Sequence, residues 1–186
     1  MTRKVAVVTA ASKGMGAACA TELAQRGYDM VLMSRSDAVL ELANKLQGMG
    51  LIGDVMNPAD LERVVSGAYQ RYGRIDAIVN NTGHPPKGDL LEISDQQWHD
   101  GLDLLLLNVV RTARHVVPIM EKNGGGSIVN ISSFGAREPS PAFPLSSALR
   151  ASLSAFTKLF ADRYADRRVR MNTVLPGFVD LSLIHI

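Results

Sequence analysis

Cysteine and aromatic residues are scarce in this chain of 186 residues. Cys19 is its single cysteine, so an intrachain disulfide is impossible and a disulfide scaffold is excluded. Aromatic residues make up only 5% of the chain, whereas hydrophobic residues make up 46%. A chain of this length and composition fits one globular domain with a continuous core.

An excess of charge of one sign is also lacking. The formal net charge is +2, and the lysines and arginines are scattered along the chain. Such a balance gives no field that would favour nucleic acid or an anionic membrane surface. The basic cluster around Arg163 and Arg170 is typical of a solvated helix end, and we expect no nucleic-acid partner.

Long apolar runs and metal-binding spacings are missing as well. No segment reaches the roughly 18 uninterrupted apolar residues of a membrane span. The apolar run that follows Arg3 and Lys4 is too short for a signal peptide, and Lys13 ends it. The four histidines lack the spacing of a zinc site. We therefore expect no membrane span, no metal and a cytoplasmic location.

Short β-branched apolar runs alternate with longer segments of helical period. The predicted strands are 4–9, 30–33, 51–54, 77–80, 127–131 and 169–174, and the predicted helices are 14–26, 37–47, 58–72, 95–123 and 146–165. Ser94 and Gln97 predict a capping box, and glycines 124–126 end the same helix. Runs with little polar alternation suit strands that are covered on both faces. The pattern predicts an α/β fold, a doubly wound parallel sheet with helices on both faces.

The first chemical motif is VVTAASKGMGAACATELAQRG. A strand ends at Thr9, a turn of small residues follows, and a helix opens at Gly14 with Gly16 one turn inside. Backbone N–H groups at such a helix start can bind a pyrophosphate, and the helix dipole favours its negative charge. The same glycines are equally compatible with a tight turn between strand and helix.

The end of the second predicted strand bears on the type of dinucleotide. An NAD enzyme usually presents an acidic residue there to the ribose 2′-hydroxyl, but Ser34 and Arg35 occupy this place. The Arg35 guanidinium can instead bind a 2′-phosphate, and Lys13 adds a second cation. NADP is therefore the predicted cofactor, although Asp37 keeps NAD open and both cations could be ordinary solvent-facing charges.

The glycine turn resembles the T-G-x-x-x-G-x-G signature of the short-chain dehydrogenase/reductase family, with Ala10 in place of the first glycine. Its methyl group is expected to narrow the approach and to disfavour a positive φ, which would weaken cofactor binding. GDV at Asp54, IVNNTG at Asn81 and VLPGFVD at Gly177 resemble further family motifs in matching order. The resemblance covers residues 4–180 and implies these cofactor-binding residues: Thr9, Ala10, Ser12, Lys13, Gly14, Met15, Gly16, Ser34, Arg35, Asp54, Val55, Asn81, Thr82, Gly83, Pro176 and Gly177.

The same resemblance implies a catalytic set in which two members are replaced. Asn108 in LLLLNVVRT matches the family's proton-relay asparagine, and Ser133 in IVNISS matches the serine that polarises the carbonyl. The family's tyrosine and lysine would fall at Ser146 and Arg150, so Y-x-x-x-K has become S-S-A-L-R. Serine is a far weaker acid than a phenol, and arginine does not exchange protons at useful pH.

Two functions follow from these residues. One is an NADP(H)-dependent oxidoreductase for a carbonyl or secondary alcohol, of ketone or 3-oxoacyl type. The alternative is a dinucleotide-binding, catalytically impaired protein with a regulatory or oligomer-stabilising role. His84 and Lys87 are candidate substitute proton donors, although both could be ordinary residues of the crevice rim.

The resemblance also bears on assembly and on the ends of the domain. It implies a homodimer or homotetramer built on the helix that contains residues 104–107 and on the helix from Ser146. We expect one Rossmann-like domain over residues 1–180 that lacks the family's last strand and helix. The final residues, 181–186, are interpreted as a suspect, non-native tail.

Overall fold

The computed structural model describes residues 3–177 and residue 179. Its strands are β1 Val5–Thr9, β2 Asp29–Ser34, β3 Met49–Ile52, β4 Ala77–Asn80, β5 Gly126–Ile131 and β6 Val169–Val174. Its α-helices are α1 Gly14–Gln25, α2 Ala38–Lys45, α3 Pro58–Tyr72, α4 Asp95–Leu102, α5 Asn108–Lys122 and α6 Pro144–Tyr164. Asp180 and the predicted tail at 181–186 lie outside the described residues.

All strand pairs are parallel, and the strand order is β3-β2-β1-β4-β5-β6. The order reverses between the neighbouring strands β1 and β4, which creates the crevice where open α/β sheets bind their ligands. The predicted doubly wound α/β fold is confirmed. Among the described residues, no helix is long and apolar enough to cross a membrane.

Helices cover both faces of the sheet, as the continuous apolar runs predicted. Val5 and Val7 of β1 point into a core formed with α3, α5 and α6, whereas Ala6 and Val8 point into a second core formed with α1 and α2. Each of these four β1 residues is at most 1% exposed. The alternation of side chains along a strand therefore feeds two separate apolar layers.

Four element boundaries differ from the predictions by two residues: both ends of β3, the start of α6, and the end of α2, which lies at Lys45 instead of residue 47. Strand β3 begins at Met49 because Met49 to Ile52 pair with β2, and it stops before Asp54, whose N–H is taken by Asp60 Oδ2 at 2.9 Å. Helix α6 begins at Pro144 rather than at Ser146. Proline is favoured in the first helical turn, because its missing N–H has no partner to lose there.

The predicted helix 95–123 is continuous but not uniform. The capping box of Ser94 and Gln97 is confirmed at its start, with Ser94 N–H donating to Gln97 Oε1 at 2.9 Å. Between α4 and α5, Asp103–Leu107 forms a π-helical turn. Such turns insert one extra residue into a helix and are frequent at functional sites.

A ladder of polar side chains crosses the sheet and reaches α6. Asn80 Nδ2 donates to Asn130 Oδ1 at 2.9 Å, and Asn130 Nδ2 donates to Thr157 Oγ1 at 3.3 Å. Thr157 Oγ1 lies 2.8 Å from Thr173 Oγ1. The three strand residues are direct neighbours in the pairing register of β4, β5 and β6. The ladder therefore fixes α6 against three strands at one level.

We predict that Thr157→Val lowers the free energy of unfolding by about 1–2 kcal/mol, because it leaves the Asn130 amide without its acceptor in a buried position. Urea denaturation measures the change. Thr21→Val is the matched control, since the Ala17 carbonyl of the same helix is the one partner of the Thr21 hydroxyl among the described residues. Equal losses in the two variants would contradict a role of the ladder in stability.

Candidate functional site

The ends of β1 and β4 are joined by a reciprocal pair of hydrogen bonds. Thr9 Oγ1 donates to the Asn81 carbonyl at 2.8 Å and accepts from the Asn81 N–H at 3.0 Å. The Asn81 side chain donates to the Ala10 carbonyl at 3.1 Å. Both Thr9 and Asn81 are buried. These side chains are therefore satisfied by protein groups and shape the floor of the crevice.

The turn after β1 holds a strained alanine. Ala10 has φ of 46°, in the left-handed region that favours glycine, so the alanine adopts the conformation that it was expected to disfavour. Gly16 lies directly against this turn, since an added Cβ would be 2.4 Å from the Ala10 carbonyl oxygen. A glycine at position 16 thus permits the close approach of α1 to β1.

The N-terminus of α1 opens into the crevice with its N–H groups unused by side chains. Its N-cap residue, Lys13, is exposed and makes no side-chain capping bond, and the first turn contains no acidic residue. The first intrahelical bond recorded runs from Ala17 N–H to the Lys13 carbonyl at 3.3 Å. The N–H groups of Gly14, Met15 and Gly16 precede it. This arrangement fits an anionic pyrophosphate without any side chain that would compete with it.

The end of β2 carries the residues expected at the adenosine ribose. Ser34 Oγ donates to Ser12 Oγ at 2.9 Å, which links β2 to the turn before α1. Arg35 is exposed and lies 3.9 Å from Asp54 Oδ2, a long contact that leaves the guanidinium free to turn towards a phosphate. A Cβ added at Gly83 would meet only Arg35, at 3.9 Å. Arg35 therefore borders the space beside the β4 turn.

The remaining cofactor residues differ in what their side chains can contribute. Val55 is buried in the core with α3, so its side chain faces away from the crevice. The Thr82 hydroxyl donates to the carbonyl of Gly83 at 3.1 Å. The Pro176 carbonyl accepts from the Phe134 N–H at 2.9 Å, and a Cβ added at Gly177 would meet no atom of the described residues within 4 Å. The P-G loop is thus held beside Ser133 at the end of β5.

Ser133 and the start of α6 meet at the end of β5. Ser133 Oγ accepts from the Gly135 N–H at 3.2 Å. A Cβ added at Gly135 would lie 3.6 Å from Ser133 Oγ and 3.2 Å from Ser147 Oγ, so the two side chains flank the same glycine. The chain therefore brings Ser133 next to the first turn of α6, which contains Ser146.

Arg150 is buried and reaches back to both parts of this site. Its Nε donates to Ser146 Oγ at 3.2 Å, and its Nη1 donates to the Ile131 carbonyl at 3.0 Å. The residue is 8% exposed, and burial lowers the pKa of Arg150. Within residues 3–177 and at 179, no carboxylate forms an ion pair with it. Sequence reasoning did not foresee this contact with the Ile131 carbonyl, because it depends on the depth of α6 against the sheet.

Asn108 stands where the π turn ends and α5 begins. It is 2% exposed, its Nδ2 donates to the Leu104 carbonyl, and its Oδ1 is buried without a hydrogen-bond partner among the described residues. The Asn108 carbonyl is engaged by Thr112 Oγ1 at 2.7 Å. A buried amide oxygen without a partner, such as Asn108 Oδ1, can accept a hydrogen bond from a water molecule or a ligand.

Lys87 reaches the start of α6 from the loop after β4. Its Nζ lies 5.5 Å from the centroid of the Phe143 ring, and Phe143 is the N-cap residue of α6. His84 is exposed in the same loop. The structure therefore brings Lys87 to the rim of the site but gives no contact between His84 and the catalytic set.

A shallow groove elsewhere offers no alternative chemistry. It follows the free edge of β3 and has a volume of about 730 Å³. Its one charged side chain, Arg63, already bonds the Ile52 carbonyl at 2.7 Å and Asp60 at 2.9 Å. No group of three or more metal-ligating side chains occurs in the part of the chain that the structure describes.

Comparison with known proteins agrees with this geometry. A family model described as "short chain dehydrogenase" matches residues 4–185. Dehydrogenase/reductase SDR family member 4 from Homo sapiens is 36% identical over 189 residues, which cover 98% of this chain and 68% of that protein. The 3-oxoacyl-[acyl-carrier-protein] reductase FabG from Escherichia coli is 31% identical, with 97% of this chain and 75% of that protein covered.

Solved structures give the same result. L-sorbose reductase from Gluconobacter frateurii, complexed with NADPH and L-sorbose, superposes with a TM-score of 0.88 at 32% identity, covering 96% of this chain and 70% of that one. A short-chain dehydrogenase from Streptomyces avermitilis gives a TM-score of 0.92 at 30% identity, covering 98% and 68%. The chain belongs to the short-chain dehydrogenase/reductase family of nicotinamide-dependent oxidoreductases.

We predict that Ala10→Gly raises the free energy of unfolding by about 1 kcal/mol, because glycine adopts the positive φ of this turn without strain. Chemical denaturation measures the change. Ala11→Gly is the matched control, since Ala11 is fully buried and lies outside the set of residues with positive φ. Destabilisation of both variants to the same extent would argue against strain at Ala10.

Proposed function

We propose that this chain is an NADP(H)-dependent oxidoreductase that interconverts a carbonyl compound and its secondary alcohol. The observation that carries the proposal is the shared sheet edge: the uncapped start of α1 and the group formed by Ser133, Ser146 and Arg150 lie at the carboxyl ends of parallel strands. When bound, the nicotinamide would accept or supply a hydride. NADPH in the related L-sorbose reductase and the reductase names of other relatives support the same class of reaction.

The residues present fit such a dinucleotide. The N–H groups at Gly14, Met15 and Gly16 would hold the pyrophosphate, and the helix dipole adds to their attraction. Asn81 and Gly83 would border the nicotinamide side, together with Gly177. Arg150 would hydrogen-bond the nicotinamide ribose with N–H groups that no described residue accepts.

The preference for NADP rests on charge at the end of β2. Arg35 and Lys13 are exposed cations, and Ser34 and Ser12 supply hydroxyls between them. A guanidinium binds a 2′-phosphate through paired hydrogen bonds, whereas a 2′-hydroxyl gains little from it. Asp37 is exposed two residues beyond Arg35, and its carboxylate is the group that would serve NAD instead.

Catalysis would differ from the usual pattern of the family. Ser133 would polarise the substrate oxygen, Asn108 would hold a water through its free Oδ1, and Ser146 and Arg150 would stand where the tyrosine and lysine are expected. Loss of a placed general acid typically costs about 10² to 10⁴ in rate. This cost supports the second candidate, a dinucleotide-binding protein without appreciable turnover that regulates or stabilises an oligomer.

Other features of the function stay predictions. A homodimer or homotetramer is what the family resemblance implies, and a cytoplasmic location is the expectation from a sequence without a signal-peptide or membrane-span pattern. Ketones and 3-oxoacyl groups are the substrate classes that the resemblance favours.

Arg35→Asp is expected to reverse the cofactor preference. The change removes the cation that would bind the 2′-phosphate and adds a carboxylate that can accept from a 2′-hydroxyl, so the ratio of NADPH to NADH affinity should fall at least about tenfold, which is 1.4 kcal/mol. Calorimetric titration with both nucleotides measures the ratio. Arg114→Asp, an equal charge change at an exposed position of α5, should leave the ratio unchanged. An unchanged ratio in Arg35→Asp would refute the NADP assignment.

Single-turnover assays with a panel of ketones separate the two candidate functions. For the enzyme we expect slow oxidation of NADPH, lost in Ser133→Ala while NADPH binding persists. The double variant Ser146→Tyr with Arg150→Lys should raise the rate by about 10² or more, since it restores a phenol with a neighbouring cation. Binding of NADPH without oxidation, in both the original chain and the double variant, would favour the non-enzymatic candidate.

A further inference from the structure

Arg150 is an isolated buried cation. It is 92% buried, and among the described residues it has hydrogen bonds to one hydroxyl and one carbonyl but no ion pair. A guanidinium carries five N–H donors, so most of its hydrogen-bonding capacity is unused here. Burial of a charge without a counter-charge is costly unless a ligand supplies negative charge. The site is therefore electrostatically prepared for an anion.

The hydroxyl groups of Ser133 and Ser146 are both available as donors. Ser133 Oγ accepts from the Gly135 N–H, and Ser146 Oγ accepts from Arg150 Nε. Neither hydroxyl donates to any other described residue. Each O–H is thus free to point at a ligand. The bond from the charged guanidinium also polarises the Ser146 hydroxyl and strengthens it as a donor.

The same contacts place Ser133 and Ser146 at one end of β5. Arg150 bridges from Ser146 to the Ile131 carbonyl, two residues before Ser133. Gly135 is in contact range of Ser133 on one side and of Ser147, the neighbour of Ser146, on the other. A substrate oxygen bound at this end of β5 would lie between the two serines.

We propose that Ser133 and Ser146, backed by Arg150, form an oxyanion hole that binds the reacting oxygen as an anion and supplies no proton to it. This proposal rests on the proposed function, because the anion is the reduced form of a carbonyl substrate. The substrate class that it selects is the electron-poor carbonyl compound, whose alkoxide is a weak base. Removal of one preorganised donor of this kind lowers kcat by about 10² to 10³ in other enzymes.

Hydride transfer to the carbonyl carbon would need no acid at this site. A bound reduced nicotinamide would supply a hydride to the carbonyl carbon and would itself be oxidised, while the π electrons of the C=O bond would move onto the oxygen. The two serine hydroxyls and Arg150 stabilise that oxygen, and water protonates it afterwards. Because no proton arrives during the step, the barrier follows the basicity of the alkoxide. Electron-withdrawing substituents lower that basicity and should accelerate the reaction.

Binding of 4-nitrophenol tests the oxyanion hole without turnover. Phenolate absorbs visible light and phenol does not, so a pH titration gives the pKa of the bound molecule, with and without NADP⁺. We expect the pKa to fall by at least about one unit on binding, a tenfold preference for the anion. An unchanged pKa, or no saturable binding of 4-nitrophenolate under either condition, would overturn the proposal.

Variants assign the effect to the named side chains. Arg150→Gln should abolish the pKa decrease, and Ser146→Ala, at a half-buried position, should reduce it even if Arg150→Gln fails to fold. Arg71→Gln is the matched control, since Arg71 is exposed near the end of α3, at the opposite edge of the sheet. A pKa decrease that persists in both site variants would place the anion elsewhere and contradict the proposal.

A kinetic comparison separates this proposal from the proposed function. With NADPH, kcat/KM for 4-nitroacetophenone should exceed that for 4-methoxyacetophenone by roughly a hundredfold, the lower range of what a placed proton donor otherwise contributes. Ser146→Tyr with Arg150→Lys should reduce this ratio. Equal rates for both ketones together with an unchanged nitrophenol pKa would refute the oxyanion hole and leave the oxidoreductase standing. A lowered pKa without NADPH oxidation by any ketone would support the anion site and refute the oxidoreductase.

Discussion

Parallel pairing of the six strands is the constraint on which the rest of the structure depends. Because every strand runs in the same direction, the carboxyl ends of β1, β2, β4 and β5 all arrive at one edge. Residues that lie far apart in the chain, such as Thr9 and Asn81, can then exchange two hydrogen bonds. A slip of one residue in any pair would move a buried side chain to the opposite face, so the alternating apolar layers hold the register in place.

The two halves of the candidate site differ in the chemical groups that they present: backbone groups in one and side chains in the other. The half that we propose to bind the dinucleotide consists of backbone groups at the start of α1 and of Gly16, where no side chain intervenes. The other half is built around the side chains of Ser133, Ser146 and Arg150, which contact the Gly135 N–H and the Ile131 carbonyl. Binding by backbone groups depends little on side-chain identity, whereas the chemistry at the second half depends on it directly.

Local patterns were sufficient to predict most of the fold. Strand β4, strand β6 and helix α3 were predicted with the bounds that the structure has, because apolar runs flanked by turn residues are signals contained within a few positions. Long-range features were missed. The ladder from Asn80 to Thr173, the core position of Val55 and the reach of Arg150 to Ile131 each depend on which elements become neighbours. The sequence also did not predict the positive φ of Ala10, because hydrogen bonds such as that from Asn81 to the Ala10 carbonyl override the preference of alanine for negative φ.

The π turn at Asp103–Leu107 has a consequence for how this gene can vary. One surplus residue rotates everything beyond it by about 100° about the helix axis relative to an unbroken α-helix. Leu105 packs into a small cluster with Leu145, whereas Val109 and Ala113 pack into the large core. Loss of a single codon in this segment would produce a more regular helix, yet it would swing Asn108 and the apolar stripe of α5 out of alignment. The irregular π turn is therefore what keeps Asn108 and the apolar face of α5 correctly oriented.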